Sequence, residues 1–275
     1  MPSSATILPN ATAFEPDRRC FISVKISIVT VTFNALGTIQ DCLNSIDAQD
    51  GPDIERIVID GASKDGTLDL LRRRESHIDT IISEPDEGIY DALNKGINLA
   101  SGDVIGFLHA DDVLASASTL SRIARSFTNP SVSAVYGDLQ YVHPDETDRV
   151  VRYWQPRPFS LQRLKWGWMP PHPTLYVRRE WYDRIGRFDT SYSIAADYHH
   201  MLRLFGHPDF RAVYIPKVLV KMRVGGASNK SIGNIIRKSQ EDLRALQETG
   251  VGALGGYGAL AWKNLSKLGQ FWNRK

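Results

Sequence analysis

Four short apolar runs, each followed by a polar turn or a helical stretch, constrain this chain more than any other feature. They are KISIVTVT at Lys25–Thr32, RIVID at Arg56–Asp60, TIIS at Thr80–Ser83 and VIGFLH at Val104–His109. β-Branched runs of this length read as buried strands. Between them Leu36–Ala48, Leu68–Arg74 and Ile89–Ala100 read as helices, with Ile89, Leu93 and Ile97 expected to form one apolar stripe against a sheet. Strands alternating with helices imply βαβ units, hence an α/β, Rossmann-like fold with a mainly parallel central sheet flanked by helices. Ligands of open α/β sheets bind beyond the carboxyl ends of the strands. Thr32–Asn34, Asp60–Asp65 and His109–Asp112 should therefore border one crevice.

Past Tyr141 the pattern becomes irregular, with five prolines from Pro156 to Pro173 and the tryptophans Trp154, Trp166 and Trp168. Such a segment suits a second-substrate region better than a nucleotide cradle. A helix carrying Asp197–Leu204, strands near Arg211–Ile215 and Val218–Arg223, a charged helix over Ser231–Thr249 and an amphipathic stretch over Gly256–Lys275 complete the reading. The expected organisation is a loose tail (1–24), one main domain (25–226, with halves of about 25–140 and 141–226) and a C-terminal helical region (227–275). A net charge of +2 without runs of like charge gives no reason to expect a nucleic-acid partner. Cys20 and Cys42 offer neither a disulfide framework nor zinc-ligand spacing, so a reducing, cytoplasmic setting is expected. No apolar segment approaches the roughly 20 residues that span a bilayer.

Asp111 and Asp112 directly follow an apolar strand. Adjacent carboxylates there repel unless a cation or hydrogen bonds compensate. Mg²⁺ or Mn²⁺, which combines few protein carboxylates with phosphate oxygens, is one answer; a turn or helix-cap role for Asp112 is the other.

TVTFN, DGASKDGT and SEPDEGIYDALNKGINLASGDVIGFLHADD, in this order, resemble the donor half of the family 2 glycosyltransferases, which are inverting enzymes of the GT-A fold. The resemblance runs from about Lys25 to Gly226 and is most specific over Ser83–Asp112. Length and general look also resemble the mycobacterial enzymes of phenolic glycolipid and p-hydroxybenzoic acid derivative assembly. It implies a nucleoside-diphosphate-sugar donor, with a deoxysugar donor such as GDP-fucose in that branch, and a glycolipid or glycoside acceptor of the cell envelope. It also implies a metal, Mn²⁺ or Mg²⁺, at Asp111 and Asp112. The family usually carries an acidic residue where this chain has His109, which leaves His109 as an imidazole ligand, a ribose contact or a structural residue.

The resemblance further implies that Asp60 accepts a hydrogen bond from the nucleobase and that Thr32, Phe33 and Asn34 line the base and ribose pocket. Lys95 would point at phosphate or stay solvated, and Arg223 would meet the diphosphate or close a turn before Gly225-Gly226. Asp197 would be the base that takes the acceptor's proton, an N-cap being the alternative. His172 and Trp168 would lie on the acceptor side. Trp262, Phe271 and Trp272 among Lys263, Lys267, Arg274 and Lys275 suit peripheral contact with the inner face of the plasma membrane, or packing on protein. Two rivals remain: a nucleotidyltransferase, which lacks an early glycine- and lysine-rich phosphate loop here, and a nucleotide-sugar-binding subunit without turnover.

Overall fold

The computed structural model describes residues 24–225 and 232–268, with side chains described to Lys263. The expected tail (1–24, except for Val24), Gly226 of the glycine pair and the aromatic–basic end from Gly269 to Lys275 lie outside them. The strands are β1 (Ile26–Thr32), β2 (Ile54–Asp60), β3 (Thr80–Ser83), β4 (Val104–Phe107), β5 (Asp112–Leu114), β6 (Ala134–Val142), β7 (Val150–Trp154), β8 (Tyr176–Arg178) and β9 (Ala212–Arg223). The helices that matter here are α1 (Ile39–Asp47), α2 (Thr67–Arg73), α3 (Ile89–Leu99), α4 (Thr119–Phe127), α5 (Leu161–Lys165), α6 (Glu180–Ile185), α7 (Ala196–Gly206), α8 (Ile232–Thr249) and α9 (Tyr257–Leu268).

All strands join one sheet in the order β3-β2-β1-β4-β8-β6-β9-β5, with β7 on β6. The block β3-β2-β1-β4 is parallel, as the alternating runs require. Beyond it β8 runs antiparallel to β4 and β6, β9 runs parallel to β6, and β5 and β7 are antiparallel to their neighbours. The second half of the sheet is thus mixed. The two strands expected near Arg211–Ile215 and Val218–Arg223 are one, β9, whose pairing with β6 shifts register after Gly137, opposite the stretch holding Pro216. Proline has no amide proton for the ladder, so it makes an irregularity rather than an end.

Strand alternation builds a core on each face. Val29, Val31, Ile57, Ile59 and Ile105 meet α3, α6 and α7 on one face. Ile26, Ile28 and Val104 meet α1 and α4 on the other. Gly106 permits the close approach of β8: a Cβ there would lie 2.2 Å from the Tyr176 ring. Leu93 and Ile97 face the sheet as expected, but Ile89 is 47% exposed. It is the first residue of α3, which starts above the strand ends where no sheet lies beneath it.

Candidate active site

The crevice is assembled at the carboxyl ends of β1, β2 and β4. Thr32 and Asp60 are register partners, and the Gly61 amide donates to the Thr32 carbonyl at 2.9 Å. Asn34 takes a left-handed backbone, φ 47°, stabilised by two cross-loop bonds. Its amide donates to Ser63 Oγ (2.8 Å) and its side-chain oxygen accepts from the Lys64 amide (2.9 Å). Asp65 and Thr67 accept from the Leu36 and Ala35 amides at 3.0 Å each, so the Ser63–Thr67 turn shapes the loop around Phe33. Phe33 stands 64% exposed, an apolar face open to a planar ligand.

Asp60 is wholly buried. It accepts from the Ser63 hydroxyl, the Ser63 amide (3.1 Å) and the Ser83 hydroxyl (2.6 Å). Its lone pairs largely serve the loop. The half-buried carboxylate beside it is Asp86, whose Oδ2 would lie 2.6 Å from a Cβ on Gly61, with the Phe33 ring 3.3 Å from the same point. Sequence reading passed over Asp86; its signal was its place between strand end and helix start in SEPDEG. Lys95 is engaged by Glu84 (2.8 Å) and Asp91 (3.1 Å) on the side of the crevice, a solvent-side ion cluster.

The chain after β4 keeps hydrogen bonding to β1 through Leu108 and Ala110, which sets His109 and Asp111 beside Thr32. Asp112 then begins β5 and is buried, with both carboxylate oxygens lacking a hydrogen-bond partner. Burial, then the charge of Asp111, push its carboxyl well above the usual range, against the pull of Arg223. Arg223, itself buried, donates to the Pro144 carbonyl (2.8 Å), the Asp111 carbonyl (2.9 Å) and Asp41 (2.6 Å). It holds the Asp111–Asp112 backbone in place from the end of β9. His109 is held neutral, with its pKa lowered to about 4 by burial and by His172 nearby, and its Nδ1 has no partner. Among the described residues no three His, Cys, Asp or Glu side chains are grouped closely enough to hold a metal ion; the orphaned buried oxygens of Asp112 and Nδ1 of His109 are the groups of this turn left without a partner.

Across the crevice His109 and His172 are in ring contact, 5.8 Å between centroids, and His172 Nδ1 lies 3.4 Å from Asp197 Oδ2. Burial holds His172 below the ordinary imidazole range despite Asp197, so this pair is a contact between a carboxylate and a neutral ring at neutral pH. Burial also works to raise Asp197, but His172, Lys238, Lys263 and the Tyr198 amide outweigh it and keep the carboxylate ionised. Asp197 is the second residue of α7, whose N-cap is Ala195, so the N-cap alternative does not hold. Tyr90, another residue missed in sequence, donates to the Ile194 carbonyl (2.6 Å) and lies 3.3 Å from Asp197 Oδ1. Trp168, expected on the acceptor side, instead packs edge-on against Tyr136 and Phe205 and beside Phe159 in the core beneath α7. Four aromatic rings packed together bury much apolar area, at the cost of leaving the Trp168 Nε1 without a hydrogen-bond partner.

Sheet and crevice are of the GT-A class. A similar fold is seen in S. aureus TarS 1-349 in complex with UDP-GlcNAc (TM-score 0.65, 18% identity, covering 82% of this chain and 66% of that one). It is also seen in the mannosyltransferase PcManGT from Pyrobaculum calidifontis in complex with GDP-Man and Mn²⁺ (TM-score 0.62, 22% identity, 90% and 71%). The match spans only 42% of a longer TarS chain. Residues 27–186 match the family described as Glycosyl transferase family 2, and the chain belongs to that family. It is 32% identical over 208 residues to a PGL/p-HBAD biosynthesis glycosyltransferase of Mycobacterium tuberculosis, covering 74% of this chain and 78% of the relative.

Proposed function

We propose that this glycosyltransferase moves a sugar from a nucleoside-diphosphate sugar to an acceptor hydroxyl with inversion, with Asp197 as general base. The observation that carries the reading is the Asp197 carboxylate at the start of α7, 3.4 Å from His172, whose ring meets that of His109 two residues before Asp111. A hydroxyl is a poor nucleophile, and a carboxylate that takes its proton during attack lowers the barrier. Tyr90 and His172 orient that carboxylate. Phe33, Asn34, Asp60 and Asp86 form the pocket for base and ribose. Asp111 and Asp112, with His109, would hold a divalent metal, which when bound supplies positive charge to the departing diphosphate. The decisive experiment is a panel of UDP-, GDP- and dTDP-sugars, GDP-fucose included, assayed for nucleoside diphosphate release with Mn²⁺, Mg²⁺ or chelator. Release from one donor that needs metal and a lipid acceptor is expected. Nucleotide binding without release under any condition would favour a binding subunit.

The name of the mycobacterial relatives supports a glycolipid acceptor, and one surface favours peripheral membrane contact. Leu161, Trp166, Leu254, Tyr257 and Trp262 are 38–77% exposed. A Cβ on Gly258 would touch both Leu254 (3.1 Å) and Trp166 (3.4 Å), so these side chains adjoin. Of the charged residues within 158–168 and 250–263, Arg163 and Lys165 are exposed, whereas Lys263, expected from the sequence on the membrane side, is buried against Asp242 because that pairing offsets the cost of its burial. Aromatic, leucine and basic residues without acids suit an anionic lipid surface. Among the described residues no helix is long and apolar enough to cross a membrane. The protein should co-sediment with phosphatidylglycerol vesicles at low salt, and Leu254→Ser with Trp262→Ser should release it. A concentration-dependent dimer lost in the same double variant, without vesicle binding, would assign the surface to a second subunit instead.

A further inference from the structure

The helix that carries Asp197 starts without a cap of its own, because Ala195 occupies its N-cap position. The first amides of a helix need acceptors from elsewhere. What one carboxylate of another helix does hold is the segment that leads into α7, up to the N-cap residue itself. Glu241 in α8 accepts from the Ser193 amide (3.1 Å) and hydroxyl (2.6 Å) on Oε1, and from the Ile194 (2.8 Å) and Ala195 (2.9 Å) amides on Oε2. The same helix holds the preceding residues, through Arg244 to Ser191 Oγ (3.1 Å) and Glu248 accepting from the Tyr192 hydroxyl (2.7 Å). From the opposite side Tyr90 of α3 grips the Ile194 carbonyl. Asp197 therefore sits two residues beyond a backbone segment clamped on both sides.

We propose that Glu241 is a positioning residue for the reaction, anchoring from α8 the segment 193–195 that leads into α7 so that the Asp197 carboxylate stays aimed at the acceptor hydroxyl. The inference rests on Asp197 being the base. It makes α8, beyond the matched family segment at residues 27–186, part of the catalytic apparatus. Its negative charge also complements the positive end of the α7 dipole. Small misplacements of a catalytic group cost orders of magnitude in rate.

The test compares wild type, Glu241→Ala, Glu241→Gln and Asp197→Ala in the full chain, by turnover, nucleoside diphosphate affinity and amide hydrogen exchange. Glu241→Ala should lower kcat by roughly tenfold or more, leave nucleotide Kd unchanged, and speed exchange over residues 193–199 but not in β1–β4. Glu241→Gln, which keeps one acceptor oxygen, should recover part of both. Should Glu241→Ala not fold, Glu241→Gln alone decides, with the same pattern expected at smaller size. Unchanged exchange over 193–199, unchanged kcat, or equal loss of kcat and nucleotide affinity would each overturn the proposal. Asp197→Ala separates the two ideas. If it abolishes turnover while Glu241→Ala matches wild type, only the positioning role fails; if it matches wild type, the base assignment fails first.

Discussion

Asp197→Ala is expected to lower sugar transfer by roughly 10²–10⁴-fold, the usual worth of a positioned general base, while nucleotide affinity stays at the wild-type level. The separation follows from geometry: Asp197 faces His172 and Tyr90 on the α7 side, whereas Phe33, Asn34 and Asp86 bound the pocket on the β1–β3 side. Asp197→Asn should be nearly as inactive, because an amide keeps the shape and cannot take the proton. The carboxyl is held below its usual range, so it stays ionised from neutral pH down through the ordinary carboxylate range. Activity should therefore show no acid limb from this group near neutrality, and loss should begin only at clearly acidic pH. Near wild-type turnover in both variants would remove Asp197 from the chemistry.

Asp242→Ala should cost about 3–5 kcal/mol, the expected penalty for stranding a buried charge. Asp242 and Lys263 are 2% and 4% exposed, with Lys263 Nζ 2.9 Å from Asp242 Oδ2 and 3.2 Å above the Tyr198 ring. This contact ties α9 and α8 to α7 directly after Asp197. At roughly 2–4 °C per kcal/mol for a chain of this size, melting should fall by about 10 °C. Replacing the pair together, Asp242→Leu with Lys263→Met, should recover most of that loss, because removing both charges leaves neither uncompensated. A double variant as unstable as Asp242→Ala would show that the pair is needed for more than charge balance.

The first half of the fold was legible because each element there carries its own periodicity. β1 to β4 are parallel and rich in β-branched residues, with β1 and β4 buried throughout and β2 over its second half, and α3 buries Leu93 and Ile97 with a spacing of four. The second half was less so. β5 and β8 are three residues long, and β6 mixes Gly137, Asp138 and Gln140 with apolar residues, so none of the three shows a period. Their strand state comes from partners distant in sequence, Met222 for Asp112 and Ile105 for Val177.

The site divides in the same way. Motif order in the sequence by itself determined the family, and the apolar runs determined the parallel strands β1 to β4 at whose ends the candidate residues lie. Only the tertiary structure decided which of these groups are open, because burial and partners belong to the packed chain. It enclosed Asp60 behind Ser63 and Ser83, turned Trp168 into the core, committed Arg223 to the Asp111 backbone, and brought Asp86 beside Gly61. It also joined Asp197 to Tyr90 and His172 across 107 and 25 positions of chain, and the segment before it, Ser193 to Ala195, to Glu241. No local pattern encodes such contacts; they exist because α3, α7 and α8 pack against one another over one face of the sheet.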